Sequence, residues 1–466
     1  MGAKPTPGTE LRMLLGITAP LAAAYLAEMA MNFTDMVIVG RLGSLEFAAV
    51  GLAANLFVSL LLISMGVVSI VGVLAAHAHG GGDDAAAGLG VVQGLWVATA
   101  LALPIMALCW YMAPLLRLMG QDAAVVPFAE DYLRAVLWGV LPYLWFTVLR
   151  NFVAALARAG SVMVITVAAV FLNLLATYTL VFGKFGFPAL GVAGAGYGTA
   201  LVSWAMFAAL ALHVVRAPGF RAYAPFRRLG RLDPPLIRQI LRLGAPVAGI
   251  TAVEAGLFSS VTVLMGLFGA TALAAHQVAT AFASLVFMVP LGLSQAAAIR
   301  VAHGLGRGSV AAARQAGRLG IVLGAAFMAV MAAAMWTAPD AIVALFLDTA
   351  DPANAEVLAL AAVLLGIAAV FQIVDGVQVI AVGALRGLRD TTAPLLVGLL
   401  GYWGVGLTGG WLLAFPLGMG GPGLWLGVAF GLAVAAVLLS WRFQARTGAL
   451  MRADRRPAAP SAQRGE

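Results

Sequence analysis

Charged residues are scarce in this chain. Only 10% of its 466 residues are charged and 62% are hydrophobic, with a mean hydropathy of +1.00. Ordinary soluble domains carry about 25% charged residues. The composition therefore excludes a soluble globular protein and predicts a polytopic membrane protein, in which too little polar chain remains to build a separate catalytic domain.

Cysteine is nearly absent as well. The single cysteine, Cys109, lies in a hydrophobic run, so it excludes an intramolecular disulfide and favours a small core side chain over a reactive thiol. The N-terminal stretch Met1–Glu10 is short and polar and shows no cleavable signal sequence. We therefore expect the first hydrophobic span to remain in the mature protein.

A nucleic-acid-binding patch is also missing, although the net charge is +8. The basic residues do not cluster beside stacking aromatic residues but collect in alternate loops, which is the positive-inside pattern of membrane proteins. This pattern predicts that both termini face the cytoplasm. The basic positions expected on the inner side are Lys4, Arg12, Arg150, Arg158, residues 216–242, residues 300–318, Arg386, Arg389 and the arginine-rich tail.

Long apolar runs make up most of the chain. A bilayer-spanning helix needs about 20 apolar residues, and on that length we predict an all-α integral membrane protein with twelve transmembrane helices. The predicted spans are residues 14–39, 47–75, 88–112, 128–150, 160–183, 191–215, 237–265, 271–299, 312–337, 355–382, 391–413 and 422–444.

One basic, proline-rich segment divides the spans into six and six. We predict an N-lobe over residues 1–215, a cytoplasmic basic linker over 216–236, a C-lobe over 237–445 and a polar cytoplasmic tail over 446–466. The linker arginines favour a role in setting the topology, and binding of anionic lipid headgroups is the alternative.

The two halves are sequence repeats. At an offset of 226 residues, Pro20 matches Pro246 and His77 matches His303, and a later offset of 229 aligns a further set of small residues. Internal repeats are common in transporters, whose substrate site lies between the repeats. An offset of six spans preserves orientation, so we predict two lobes related by an axis along the membrane normal.

Four acidic residues lie inside predicted spans: Glu28, Asp35, Glu254 and Asp375. A charge inside the bilayer costs roughly 2.5–3.5 kcal/mol on insertion scales and usually faces a pathway or cavity. Glu254 has no basic residue within ten positions, and the repeat pairs it with Glu28. We therefore predict a role in cation coupling or substrate binding for all four acids. The alternative is that they are polar packing residues, with Glu254 as a protonated acid hydrogen-bonded between helices.

Neighbouring positions place further side chains on the same helix faces as the acids. Glu28 and Asp35 are seven residues apart and share one face, so they could form a second carboxylate pair. The residues that we expect to line a cavity beside the acids are Tyr25, Asn32, Phe258, Phe371, Gln372 and Gln378.

A cluster of His77, His79, Asp83 and Asp84 resembles a metal site at first sight. Its repeat partner keeps His303 but none of the acids, which indicates a helix end and a turn more than a metal site. An embedded enzyme that uses this cluster is the alternative to a transporter.

Four longer motifs resemble one known family. They are Met31–Gly43, Ala274–Val278 with Ser284–Pro290, Arg300–Gly306, and Asp375 with Gly383–Thr391. Together with the repeat they resemble the multidrug and toxic compound extrusion (MATE) transporters, within them the NorM-like branch, over nearly the whole chain.

The resemblance implies an antiporter of the bacterial inner membrane that exports cationic or amphiphilic small molecules against Na⁺ or H⁺, with no bound cofactor. It assigns cation coupling to Asp35, Glu254 and Asp375, with Na⁺ expected at the last two, and places Gln277 at the cavity. Glu28 departs from the family, where an uncharged residue is expected, and Phe371 lacks the hydroxyl of a tyrosine. We expect a monomer with lipid contacts and no nucleic acid. A lipid-linked oligosaccharide flippase of the same superfamily is the alternative within transport, although it would need basic residues within its spans.

Overall fold

The computed structural model of the chain describes residues 6–118, 120–349 and 351–454. Within these ranges there is no β-strand, and twelve helices are long and apolar enough to cross a membrane. The predicted all-α class and span count are thereby confirmed. The helices are α1 (Pro7–Gly40), α2 (Ser44–Gly80), α3 (Asp84–Trp110), α4 (Val126–Ala155), α5 (Gly160–Phe182), α6 (Val192–Arg216), α7 (Pro234–Gly266), α8 (Ala270–Gly306), α9 (Val310–Thr337), α10 (Pro352–Gly387), α11 (Thr392–Ala414) and α12 (Gly420–Asp454).

Polar residues in two loops cap the N-termini of the helices that follow them. The Asp83 side chain accepts a hydrogen bond from the backbone N–H of Ala86 and so caps α3, and Ser309 does the same for α9 through Ala312. These two caps occupy equivalent positions of the repeat. A side-chain oxygen at this position satisfies one of the unpaired N–H groups of the first turn. Asp83 therefore serves the helix start.

Besides the 3₁₀ turn that begins α10, three helices contain irregular turns in their interior. Helix α2 is interrupted at Ser69, α4 includes a 3₁₀ turn over Leu137–Gly139, and α11 carries a π-helical segment over Leu399–Leu407. Pi-helical segments are rare and often accompany functional sites. The one in α11 lies beside the candidate site described below.

The first six helices pack mainly with one another, and so do the last six. The two groups meet through α1 against α8 and α2 against α7, which are equivalent pairs under the repeat, and through the second part of α2 against α8. Glu10, near the start of α1, is buried against Arg300 of α8, whereas Asn32 and Phe33 near the other end of α1 are exposed. The groups are therefore closed on the side where α1 begins and diverge on the opposite side.

Glycine permits the closest approach on the closed side. A Cβ on Gly306 would lie 2.1 Å from the carbonyl oxygen of His77, and one on Gly80 would lie 2.6 Å from that of His303. Gly80 and Gly306 are equivalent positions of the repeat. Only a residue without a Cβ lets the two backbones meet at this distance.

A buried ion pair joins the two groups on the same side. The guanidinium of Arg300 on α8 donates two hydrogen bonds to the carboxylate of Glu10 on α1, at 2.8 and 2.7 Å. Glu10 is 1% exposed and Arg300 5%. Bidentate pairs of this kind are stronger and more directional than single contacts.

The segment between α6 and α7 is docked against the first six helices. Gln93 on α3 donates to the carbonyl of Arg231 at 2.7 Å and accepts from the backbone N–H of Asp233 at 3.0 Å. The Trp96 indole N–H donates to the carbonyl of Leu229 at 2.9 Å. The segment between the two helices is thus 217–233, shorter than the predicted linker, and it contains two short 3₁₀ turns, Pro218–Phe220 and Pro225–Arg228. Its exposed basic side chains are Arg221, Arg227, Arg228 and Arg231.

Arg150, Arg300 and Arg386, which are among the basic residues predicted for the inner loops, lie within helices α4, α8 and α10. Each is held inside the protein by hydrogen bonds to polar side chains, which sequence position alone does not reveal. Of the predicted tail, residues 446–454 continue α12, and residues 455–466 lie outside the described residues, as does Lys4.

We expect Gly306→Ala to lower the midpoint of thermal unfolding in detergent. The added methyl group overlaps the His77 carbonyl, and overpacking of this kind costs about 1–3 kcal/mol. Gly266→Ala is the matched control, because a Cβ there meets no atom within 4 Å. Equal unfolding midpoints for the two variants would contradict the close contact of the two groups.

Candidate functional site

The second group of helices, which we call the C-lobe, brings Glu254 on α7 near Asp375 on α10. The charge of Glu254 acts directly on Asp375, and both charges act on the hydroxyl of Tyr402. Asp375 is 5% exposed and Glu254 is half-buried. Neither carboxylate has a hydrogen-bond or cationic partner among the described residues. The structure thus brings together the two acids that the sequence analysis singled out.

Amide groups with unused hydrogen-bonding atoms surround Asp375. Gln372 and Gln378 lie on the same helix and are each 1% exposed. Both side-chain atoms of Gln372, Oε1 of Gln378 and Oδ1 of Asp375 have no hydrogen-bond partner among the described residues. Buried polar atoms are normally paired, so this group of oxygens is suited to a ligand that carries positive charge.

Aromatic rings close one side of the acid pair. The Phe371 ring lies edge-on to Phe258, with 6.0 Å between centroids, and at 5.6 Å from Trp425. The Trp425 indole N–H donates to Nδ1 of His276 at 3.2 Å, and Nε2 of His276 lies 3.0 Å from the Thr262 hydroxyl. Phe258 and Phe371 thus contact each other, one helical turn from Glu254 and Asp375 respectively, and their role as cavity lining stays a prediction.

Asp35 occupies a different environment in the first group of helices, the N-lobe. One carboxylate oxygen accepts hydrogen bonds from Asn173 and Thr177 at 3.1 and 2.9 Å, and the other lies 2.9 Å from the Thr199 hydroxyl. These donors come from α5 and α6. Hydrogen bonds to a carboxylate favour its charged form, whereas burial opposes it, and all three donors to Asp35 come from its own lobe.

Glu28 is compensated by a cation. Nη1 of Arg150 on α4 donates to Glu28 Oε1 at 2.6 Å, and the Tyr143 hydroxyl donates to Oε2 at 3.3 Å. The Arg150 guanidinium also stacks over the Tyr25 ring, 5.1 Å from its centroid. The predicted pair of Glu28 with Asp35 does not form, because each carboxylate has its own set of partners on other helices.

The repeat therefore places opposite electrostatics at equivalent positions. Glu28 and its equivalent, Glu254, both occupy the middle of the first helix of their lobe, but an arginine faces the first and an aspartate lies near the second. Of these two equivalent glutamates, the one in the C-lobe is thus the one without a compensating positive charge among the described residues.

Two predicted cavity residues are exposed. Asn32 on α1 and Gln277 on α8 are exposed, and their place at a cavity stays a prediction. Tyr25 instead is buried with Arg150.

The histidine cluster takes part in contacts on the closed side. His79 Nδ1 lies 2.8 Å from the Tyr223 hydroxyl, and its ring is 5.4 Å from that of His303. Burial and the neighbouring Asp84 raise the pKa of Tyr223 to about 12, so this hydroxyl stays protonated at neutral pH. Within the part of the chain that the structure describes, no three His, Cys, Asp or Glu side chains form a group suited to a metal ion.

A polar network crosses between the lobes beside this cluster. The Arg386 guanidinium on α10 donates to Gln295 Oε1 and, at 3.3 Å, to the Ser69 hydroxyl at the break in α2. Gln295 in turn donates to Asn151 Oδ1 at 3.1 Å. The interruption of α2 therefore exposes polar groups that the other lobe binds.

Several of these residues escaped the sequence analysis. Arg150 is absent from the predicted site because it was placed in a loop, although its position at the end of a predicted span was a usable signal. Tyr402 carries no charge and belongs to none of the motifs, so no sequence signal distinguished it from other aromatic residues in the spans.

Comparison with known proteins gives the same architecture and a family. The profile of the MatE family matches residues 20–179 and again 246–412, so each lobe carries one copy. The probable multidrug resistance protein NorM of Pseudomonas aeruginosa is 44% identical over 442 residues, covering 95% of this chain and 91% of that protein. A protein of the same name from Mesorhizobium japonicum is 42% identical and covers 94% of each chain.

Solved structures share the fold. A MATE transporter in complex with MaL6 superposes with a TM-score of 0.87 at 19% identity, over 96% of this chain and 98% of that one. The eukaryotic MATE transporter AtDTX14 gives 0.83 at 22% identity, over 95% and 98%.

We expect Glu28→Gln to destabilise the protein by about 3–5 kcal/mol, because it leaves the buried Arg150 without its counter-charge. Chemical or thermal unfolding of the purified protein measures the loss. The double variant Glu28→Gln with Arg150→Gln should lose less than the sum of the single variants, since the two residues are in direct contact. Additive losses would contradict the ion pair.

Proposed function

Because the chain belongs to the MatE family, whose members are transporters and not enzymes, we propose that it exports cationic or amphiphilic small molecules in exchange for Na⁺. The relatives are named as probable multidrug resistance proteins, which supports a broad range of substrates. The setting that we propose is the bacterial inner membrane, where the exposed arginines of segment 217–233 would face lipid headgroups.

The observation that carries this proposal is the contrast among the acids in the spans. Glu10 and Glu28 each bind an arginine, and Asp35 has three hydrogen-bond donors. Glu254 and Asp375 have no such partner among the described residues. Two neighbouring carboxylates in a medium of low dielectric repel each other and attract a cation, which supports a cation site at this pair.

Sodium is the coupling ion that the surrounding atoms favour. The unpaired atoms beside Asp375 include the carbonyl oxygens of Gln372 and Gln378. Hard cations prefer carboxylate and carbonyl oxygens as ligands, whereas a proton needs only one acceptor. Coupling to H⁺ remains the alternative outcome of the experiments below.

Exchange follows from competition for the same negative charge. A cationic substrate and Na⁺ compete for the negative charge of Glu254 and Asp375, so the binding of one lowers the affinity for the other. Either bound cation reduces the net charge that the site carries while the two lobes rearrange. Export therefore uses the inward sodium gradient without any covalent step.

Alternating access requires that the closed side open once in each cycle. The loops on the closed side carry the arginines predicted to be cytoplasmic, so we propose that this structure faces outward. In the opposite state the Glu10–Arg300 pair and the Gly80 and Gly306 contacts separate. The lobes would then expose the acid pair to the cytoplasm.

The alternative function, a flippase, would need arginines within its spans to bind an anionic substrate. The structure does place three arginines there. Arg150 and Arg300 are each neutralised by a glutamate, and Arg386 is bound to Ser69 and Gln295. The uncompensated charge in the lobes is negative, so a cationic substrate is favoured over a pyrophosphate.

We expect Glu254→Gln and Asp375→Asn each to reduce ethidium efflux from cells to the level of cells without the transporter, because each removes one of the two charges. Replacing external Na⁺ by K⁺ should stop efflux by the unmodified protein, and a protonophore at constant Na⁺ gradient should not.

The matched control is Asp131→Asn, an exposed acid outside the site, which should leave efflux unchanged. Full efflux in both site variants would overturn the assignment of the acids. Efflux that survives without Na⁺ and stops with the protonophore would replace Na⁺ by H⁺.

We expect Glu10→Gln to open the closed side. The single native cysteine permits a clean test: in a Cys109→Ala background, Ala302→Cys introduces a thiol at a fully buried position of α8 near Arg300. Labelling of this thiol by N-ethylmaleimide should speed up about tenfold, the factor that corresponds to 1.4 kcal/mol of lost closure.

Asp390→Asn provides the control for labelling, because it breaks an ion pair with Arg442 inside the C-lobe. It should leave the labelling rate of Ala302→Cys unchanged. Equal rates for Glu10→Gln and the unmodified background would show that the pair does not hold the lobes together.

A further inference from the structure

We propose that Tyr402 is a further residue of the coupling-cation site, where its phenolic oxygen acts beside Glu254 and Asp375. The inference rests on the proposed cation site in the C-lobe. It adds a group from α11 to the groups that α7 and α10 supply.

Tyr402 lies at the centre of the C-lobe. It belongs to the π-helical segment Leu399–Leu407 and is 0% exposed. A phenol so deeply buried needs hydrogen-bond partners for its hydroxyl. The hydroxyl accepts one hydrogen bond from Nε2 of Gln378 on α10. Gln378 lies three residues after Asp375, so this contact draws the phenol towards the aspartate.

The π-helical segment is also bound to α7 beside the glutamate. The indole N–H of Trp403 donates to the carbonyl of Val253 at 3.0 Å. The Trp403 ring fits over Gly256, where a Cβ would lie 3.0 Å from the indole. Two consecutive residues of α11 therefore reach the helices of both acids, Tyr402 towards α10 and Trp403 towards α7.

The Tyr402 hydroxyl can form further hydrogen bonds in this position. A phenol has one proton to donate and can accept through its oxygen. Gln378 uses it only as an acceptor, and the charges of Glu254 and Asp375 both act on it. The proton is thus available to a carboxylate, and the oxygen to a bound cation.

The phenolic oxygen of Tyr402 is more important for a bound cation because Phe371 supplies no oxygen. Phe371 occupies the position one turn before Asp375, and its ring contributes no ligand atom. The other oxygens beside the acids come from the amides of Gln372 and Gln378. Tyr402 adds a hydroxyl oxygen to these carboxylate and amide oxygens.

The alternative is that the hydroxyl only holds Gln378 in place. In that case its removal lowers stability but does not change how much Na⁺ is needed for half-maximal efflux. If the hydroxyl binds the cation, its removal has a different effect: the half-saturating Na⁺ concentration rises, and the maximal rate at high Na⁺ is largely kept.

The experiment measures Na⁺-driven ethidium efflux from proteoliposomes over a range of Na⁺ concentrations. Tyr402→Phe keeps the ring and removes the hydroxyl. We expect the half-saturating Na⁺ concentration to rise about 10-fold or more, in line with the 10–100-fold loss of metal affinity when a supporting group is removed. If this variant does not fold, the same titration is made with Tyr402→Met.

Tyr223→Phe is the matched control, because it removes a buried hydroxyl in the segment outside the spans. It should leave the Na⁺ titration unchanged. An unchanged titration for Tyr402→Phe, with Asp375→Asn inactive, would overturn the role of Tyr402 and leave the proposed function intact. A wild-type protein whose efflux does not respond to Na⁺ would overturn both.

Discussion

The compensation of buried charge governs the structure of this protein. Inside a membrane, removing one partner of a buried ion pair leaves a charge that neither lipid nor water solvates. Glu10 is therefore bound by Arg300, and Glu28 by Arg150. Against this background the pair Glu254 and Asp375 is an exception that the fold tolerates. Such an exception indicates a site whose counter-charge is mobile.

The internal repeat explains how one fold contains both situations. Two copies of a six-helix unit place their first glutamates at equivalent positions, Glu28 and Glu254, so the backbone gives each the same depth. What differs is the facing helix, which supplies Arg150 in one lobe and Asp375 in the other. The N-lobe glutamate is thereby held in an ion pair, whereas the C-lobe glutamate has no such partner among the described residues and belongs to the cation site that we propose.

Much of the fold followed from the sequence because it depends on local patterns. Apolar runs predicted the twelve spans, and the offset of 226 predicted the two units. The partners of the acids did not follow in the same way. Glu10 and Arg300 are 290 residues apart, and Glu28 and Arg150 are 122 apart. The positive-inside pattern assigned these arginines to loops, because it uses charge near a span end and contains no information on tertiary pairing.

The same reasoning connects the closed side to the cation site. The lobes are held together by contacts of high precision, two glycines against backbone carbonyls and one bidentate ion pair, on the side opposite to their divergence. These contacts tolerate little intermediate displacement, because a packed interface is either formed or broken. The cation that we propose at Glu254 and Asp375 would bias the lobes by the difference between its binding free energies in the two arrangements.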